Sequence, residues 1–150
     1  MTKDASFGGG CQCGAVRYEL AVKPSGTHFC HCRMCQRAVG GPFAALTGVY
    51  KTQLKWTKGT PAFYQSSSVA KRAFCRDCGT PLYFGYDKGE WNCVTIGSLD
   101  RPEDVSLEVH YGAESKMPWL QLCDGMPEEV SDPESDDRAR GLVNYQSETQ

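Results

Sequence analysis

Residues 11–14 read Cys-Gln-Cys-Gly, and residues 75–79 read Cys-Arg-Asp-Cys-Gly. Each is a pair of cysteines followed at once by glycine, and 61 residues lie between the two pairs. A tetrahedral zinc takes four thiolates at about 2.3 Å, and the tight turn that offers two of them needs unusual backbone angles just after the second, which glycine supplies. The two pairs therefore predict one closed, structural zinc site at Cys11, Cys13, Cys75 and Cys78. Such a clip joins segments far apart in the chain and stabilises a fold through metal binding. A redox dithiol at Cys75 and Cys78 is the competing reading, but no thioredoxin-like βαβ pattern surrounds it.

Around these pairs the chain alternates like β-structure. Val16, Tyr18, Leu20 and Val22 fall on one face at a period of two within 15–22, the mark of a half-buried strand. Further short runs rich in β-branched or aromatic residues occupy 44–50, 54–57, 62–65, 69–74, 82–86, 92–96 and 107–111, with Gly, Pro, Ser or Asp between them. The expectation is a mainly antiparallel β domain. A single short helix is predicted over 33–39, ended by Gly40-Gly41-Pro42.

The 150 residues fit one domain. Residues 1–125 carry 14 Lys+Arg against 11 Asp+Glu, whereas residues 126–150 carry 2 against 7. The reading is a zinc-binding domain over 1–125 and an acidic tail over 126–150 with too little apolar surface to order itself. The body is not basic enough, and its cations are not clustered enough, to suit a phosphate backbone, so nucleic acid is a poor partner. No run of about 18 apolar residues and no signal-like start is present, so the expected location is cytoplasmic, without membrane association. Nine cysteines in a reducing compartment are better explained by metal than by disulfides.

Residues 30–35 read Cys-His-Cys-Arg-Met-Cys. With four cysteines assigned, Cys30, Cys32 and Cys35 remain for a second ion. Catalytic zinc sites typically take three protein ligands and keep a fourth position for water or substrate, and a thiolate-rich site favours sulfur there. A small thiol is the natural guest, since binding as thiolate overcomes a free thiol pKa near 8.5. Arg33 and Arg37 would favour anionic sulfur nearby. The alternatives are a closed site completed by His31, Cys93 or Cys123, and an iron–sulfur cluster, whose usual spacings differ. Covalent haem is excluded because Gln36, not histidine, follows Cys35.

Four segments carry a resemblance to a known family: GGCQCGAVRYEL (9–20), FCHCRMCQRAVGGPFAA (29–45), AFCRDCGTPLYF (73–84) and HYGAESKMPW (110–119). The chain resembles the CENP-V/GFA family of glutathione-dependent formaldehyde-activating enzyme-like proteins over about residues 8–120. The resemblance implies an Mss4-like fold of coiled antiparallel β-sheets. It matches Cys11, Cys13, Cys75 and Cys78 to structural zinc ligands, and Cys30, Cys32 and Cys35 to catalytic ones, two Zn2+ per chain. It implies a carbon–sulfur lyase that forms or cleaves an adduct of a small thiol such as glutathione with an aldehyde such as formaldehyde. Ser115, Lys116 and Trp119 match the family's C-terminal segment. Trp119 is expected in the core or as a pocket wall. His110 is the candidate proton donor, since imidazole exchanges protons near neutrality, although a packed strand histidine is the competing reading. Arg17, Arg33, Arg37, Lys71 and Arg72 are candidate anchors for glutathione's carboxylates. A non-catalytic zinc-stabilised binding module, or a metal storage or sensing protein, is the alternative to a lyase.

Overall fold

The computed structural model describes residues 7–122 and 125–143. Cys123 lies outside the described residues. The strands are β1 (Phe7–Gly10), β2 (Arg17–Leu20), β3 (Ser25–Cys30), β4 (Ala44–Tyr50), β5 (Leu54–Lys58), β6 (Ala62–Gln65), β7 (Ala70–Phe74), β8 (Pro81–Tyr86), β9 (Trp91–Thr95), β10 (Val109–Tyr111) and β11 (Glu128–Glu129). The single α-helix, α1 (Arg33–Val39), ends on Gly40 in the left-handed region, which the Gly-Gly-Pro run anticipates.

Two sheets form. A small one runs β1-β2-β5, and a large one runs β11-β10-β3-β4-β9-β8-β7-β6. Most pairings are antiparallel, as the short strands and tight turns predict. The exception lies at one edge of the large sheet, where β10 runs parallel to both β3 and β11.

The alternation read from 15–22 holds through Leu20 but not at Val22, which lies past the end of β2 and is exposed. Tyr18 and Leu20 are buried while Glu19 between them is exposed. They pack with Val49, Leu82 and Val94 in a core that also contains Cys11 and Cys75, so the first cysteine site borders the hydrophobic interior. Tyr18 is held further by its hydroxyl, 2.7 Å from Ser98 Oγ. A second apolar cluster gathers Cys30, Cys35, Ala44, Leu46 and Cys93. The first core buries several large side chains at roughly 1.5–3 kcal/mol apiece, whereas Leu46 is the one large aliphatic side chain among the buried members of the second.

Over 126–143 the acidic end lies against the domain. Residues 128 and 129 pair with β10, Ala139 is buried, and Val143 exchanges hydrogen bonds with Ser68. Lys116 pairs with Glu128, and the Ser131 hydroxyl donates to Glu114. The segment's few apolar residues do not make a core of their own, and backbone pairing and ion pairs hold it against the domain instead. Among the described residues no helix is long and apolar enough to cross a membrane.

Candidate metal centres and cavity

The first cysteine site is built by two matching turns. In each, the glycine after the second cysteine takes a positive φ, +78° at both Gly14 and Gly79, and its N–H returns to the carbonyl of the first cysteine, Cys11 or Cys75. The turns bring Cys11 Sγ to 3.6 Å from Cys13 Sγ and Cys13 Sγ to 3.8 Å from Cys75 Sγ. Four sulfurs around one ion at 2.3 Å lie about 3.8 Å apart, so the set fits tetrahedral zinc. The Val16 N–H donates to Cys11 Sγ at 3.2 Å, and the Thr80 hydroxyl lies 3.2 Å from Cys78 Sγ. The Thr80 hydroxyl and N–H hold the Cys78 thiol down at about 5, which favours the thiolate a metal needs.

Cys30, Cys32 and Cys35 form the second site, with their sulfurs all within 4.8 Å of one another. Cys30 ends β3, Cys32 caps α1 by accepting from the Cys35 N–H, and Cys35 lies in the helix's first turn. Among the described residues, no further His, Cys, Asp or Glu ligand atom joins this group. His31, between Cys30 and Cys32, does not join the cluster: its Nε2 lies 2.8 Å from His110 Nδ1. The donor set, three soft sulfurs in a mostly buried pocket, fits zinc. None of the eight described cysteines is in a disulfide.

Electrostatics separate the three thiols. Hydrogen bonds from Cys30 and Cys32, with the nearby charge of Arg72, hold Cys35 well below the usual thiol range. Cys30 is pushed up by its thiol contacts with Cys32 and Cys35. Arg72 Nη2 donates to Cys35 Sγ at 3.2 Å, and its guanidinium carbon lies 4.8 Å from the centre of the Phe84 ring. This arginine, in the middle of β7, is only 6 % exposed.

The three cysteines floor a cavity of about 280 Å³. Strand pairing explains its walls. Arg72, Phe84 and Cys93 are cross-strand neighbours on β7, β8 and β9, and all three line it. On the other side, β3 contributes His28 and Cys30, two apart on one face, opposite Val109 and Tyr111 of β10. The C-terminal segment supplies Pro133, Arg138, Ala139 and Leu142. Burial, and then the negative charge at Cys35, pushes the Cys93 thiol up to about 12, so Cys93 stays a neutral wall.

Of the three histidines, the one lining this cavity is His28. Its Nδ1–H donates to the Gly26 carbonyl at 2.8 Å, which leaves Nε2 to exchange a proton. His110 falls between Val109 and Tyr111 on the opposite face, buried in a cluster with Phe29, Phe43 and His31. The sequence signal for His28 is its period-two spacing to Cys30, both of which fall on β3. Trp119 is a correction, because it is 69 % exposed and so neither core nor pocket wall. Ser115 acts through its carbonyl, which accepts from Gln36 Nε2 at 3.0 Å, while the same amide nitrogen reaches the His31 carbonyl at 2.6 Å. The candidate anchors also sort themselves. Arg17 pairs with Asp100, Lys71 with Asp87, Arg33 donates to Gln36 and Arg37 sits in the last turn of α1, whereas Arg72 is the one of the five that lines the cavity.

Fold and sites together define a β-sheet protein with one four-cysteine cluster able to hold a metal ion and a second, three-cysteine cluster lining a ligand-sized cavity. The model of the glutathione-dependent formaldehyde-activating enzyme family matches residues 6–114. An uncharacterized lyase of Schizosaccharomyces pombe is 33% identical over 84 residues, which are 56% of this chain and 61% of that protein. A Halomonas elongata protein whose name ascribes to it glutathione-dependent formaldehyde activation is 28% identical over 130 residues, 76% of this chain and 79% of its own. A Rhodobacter sphaeroides protein of known crystal structure shares the fold at a TM-score of 0.53 and 21% identity, over 81% of this chain and 99% of its own. The chain belongs to the glutathione-dependent formaldehyde-activating enzyme family.

Proposed function

We propose that the protein is a carbon–sulfur lyase that joins a small thiol to an aldehyde and cleaves the same adduct. The observation that carries this is the placement of Cys30, Cys32 and Cys35 together on the floor of a cavity, with Arg72 against Cys35. Two zinc ions per chain are proposed, one at Cys11, Cys13, Cys75 and Cys78, the other at the three-cysteine cluster. Zinc at the second site would supply Lewis-acid stabilisation of a thiolate near neutral pH.

The chain's own residues do the rest. Arg72 sets a fixed positive charge beside the sulfurs in a site largely removed from water, where it counts for more than on a surface. As the thiol's sulfur bonds to the carbonyl carbon, the C=O π pair moves onto oxygen, which takes a proton, while the thiol loses its own. Cleavage reverses each transfer. His28 Nε2 and the Tyr111 hydroxyl are the proton-exchanging groups of the cavity wall, and burial raises Tyr111 so that it stays protonated. His110 serves as a positioning residue in this reading, its ring fixing His31 and thereby the backbone between Cys30 and Cys32. The relatives' names and the family description point to glutathione and formaldehyde as the first substrates to try.

The test is exchange NMR of thiol and aldehyde with their adduct. Exchange accelerated by the wild-type protein and lost in Cys32→Ser, with the fold intact, supports the lyase. No acceleration with any thiol and aldehyde pair would sink it.

A further inference from the structure

We propose that the cavity selects a compact, mainly apolar thiol carrying one carboxylate close to its sulfur, and that Arg72 is the specificity-determining residue that receives that carboxylate. This rests on the lyase reading above and names its substrate class.

The cavity's size sets the first limit. About 280 Å³ lies at the small end of ligand sites. Its walls set the second, because Phe84, Tyr86, Trp91, Tyr111 and Leu142 present aromatic and aliphatic surface that rewards an apolar body. Charge sets the third. Among the described residues no Asp or Glu lines the cavity, whereas Arg72 and Arg138 do. Arg138 stands at an exposed edge and is engaged by Asp136 at 2.8 Å. Arg72 is the buried one, and among the described residues it pairs with no carboxylate.

A guanidinium has five N–H donors in a planar fork, and the bond to Cys35 Sγ uses one. The remaining donors suit a carboxylate, which arginine binds in two-pronged fashion. Because Nη2 already lies 3.2 Å from Cys35 Sγ, that carboxylate would sit within a few bonds of a sulfur at the cluster. An α- or β-mercapto acid has this shape. Glutathione does not, since its carboxylates are remote from its sulfur and its ammonium group would meet no acidic side chain among the lining residues.

The experiment uses the zinc-loaded full chain and isothermal titration calorimetry with three probes: 2-mercapto-3-phenylpropanoate, its neutral primary amide, and glutathione. Wild-type protein is expected to bind the acid at least about tenfold more tightly than either of the others, the scale of a charge-assisted hydrogen bond. Arg72→Gln should erase the preference for acid over amide, and Arg72→Lys should retain part of it. Equal binding of acid and amide by wild type, tighter binding of glutathione, or an acid preference that survives in Arg72→Gln would each overturn the assignment. If glutathione wins and adduct exchange still requires Cys32, the lyase reading stands and this specificity falls. If none of the three binds and no exchange occurs, both fall.

Discussion

Arg72 Nη2 donates to Cys35 Sγ at 3.2 Å from the middle of β7, so the arginine joins the far side of the large sheet to the first turn of α1. Burial alone would pull the guanidinium's pKa down, but the negative sulfur at Cys35 more than offsets it, and Arg72 ends up raised. The pair is thus mutually stabilising at a buried position beside the cavity. Breaking it should loosen metal at the second site. Arg72→Met is expected to weaken zinc binding there by about 10–100-fold, as loss of a group that orients a ligand does. The four-cysteine site should be unaffected. Competition with a chromogenic chelator reads the two sites as separate phases, and a weak phase unchanged by the substitution would refute the coupling.

The two sites should also differ in what they do for the fold. Cys11 and Cys75 belong to the main core, and their site joins β-segments across the chain. Cys75→Ser should remove about one zinc and cost at least about 3 kcal/mol, since structural zinc is folding energy. Cys32→Ser should also drop the stoichiometry from about two to about one, but leave the thermal midpoint near that of the wild type. Zinc analysis and calorimetry on the two variants check this. Equal destabilisation by both substitutions would contradict the division.

Much of this plan is legible in the sequence. The helix at 33–39 and strands at 44–50 and 62–65 match their observed bounds, because flanking glycines and β-rich runs end them cleanly. The partition of seven cysteines into four and three follows from spacing alone. Other features leave no local trace. The Gly-rich strand β1 has no side chains at 8–10 to alternate. β3 carries Gly26 and Thr27 ahead of a cysteine cluster that dominates its reading. The parallel pairing of β10 with β3 is a relation between segments about 80 residues apart, and it decides that His28 faces the cavity and His110 does not. Arg72 is one of five arginines and lysines that looked alike in sequence, and only cross-strand register singles it out.

The bidentate pair of Arg17 with Asp100 makes a prediction about pH. Arg17 Nη1 reaches Asp100 Oδ1 at 2.8 Å, and its Nη2 engages Oδ2, which ties β2 to the turn after β9. Hydrogen bonding from Arg17, more than its charge, holds the Asp100 carboxyl below the usual carboxylate range. A lowered folded pKa means that the stabilisation is present in full above the unfolded pKa and is lost as pH falls through the folded one. Both groups are over a third exposed, so the pair is worth about 0.5–1 kcal/mol at neutral pH. Asp100→Asn should therefore melt slightly below wild type at pH 7, and the two midpoints should converge as the pH is lowered through the acid range. A gap that widens on acidification would contradict the assignment.

Gly112 offers the sharpest steric test of the second site. Its φ is +65°, a conformation that costs a residue with a side chain about 1 kcal/mol or more. A Cβ placed there would lie 2.9 Å from the Cys32 backbone nitrogen and 3.2 Å from Cys32 Cβ, against backbone that cannot rotate away. The preceding residue, Tyr111, holds the His31 N–H through its carbonyl at 2.8 Å, so a push at Gly112 is delivered to both neighbours of the Cys32 peptide. Gly112→Ala should consequently cost about 1–3 kcal/mol in stability. It should also lower zinc affinity at the three-cysteine cluster while the four-cysteine site keeps its metal. Cobalt substitution distinguishes the outcomes, because the thiolate-to-cobalt absorption of the second site should weaken selectively. A variant with normal cobalt spectra at both sites and full stability would show that Cys32 can shift at no cost, and the close approach of Gly112 would then have no part in shaping the site.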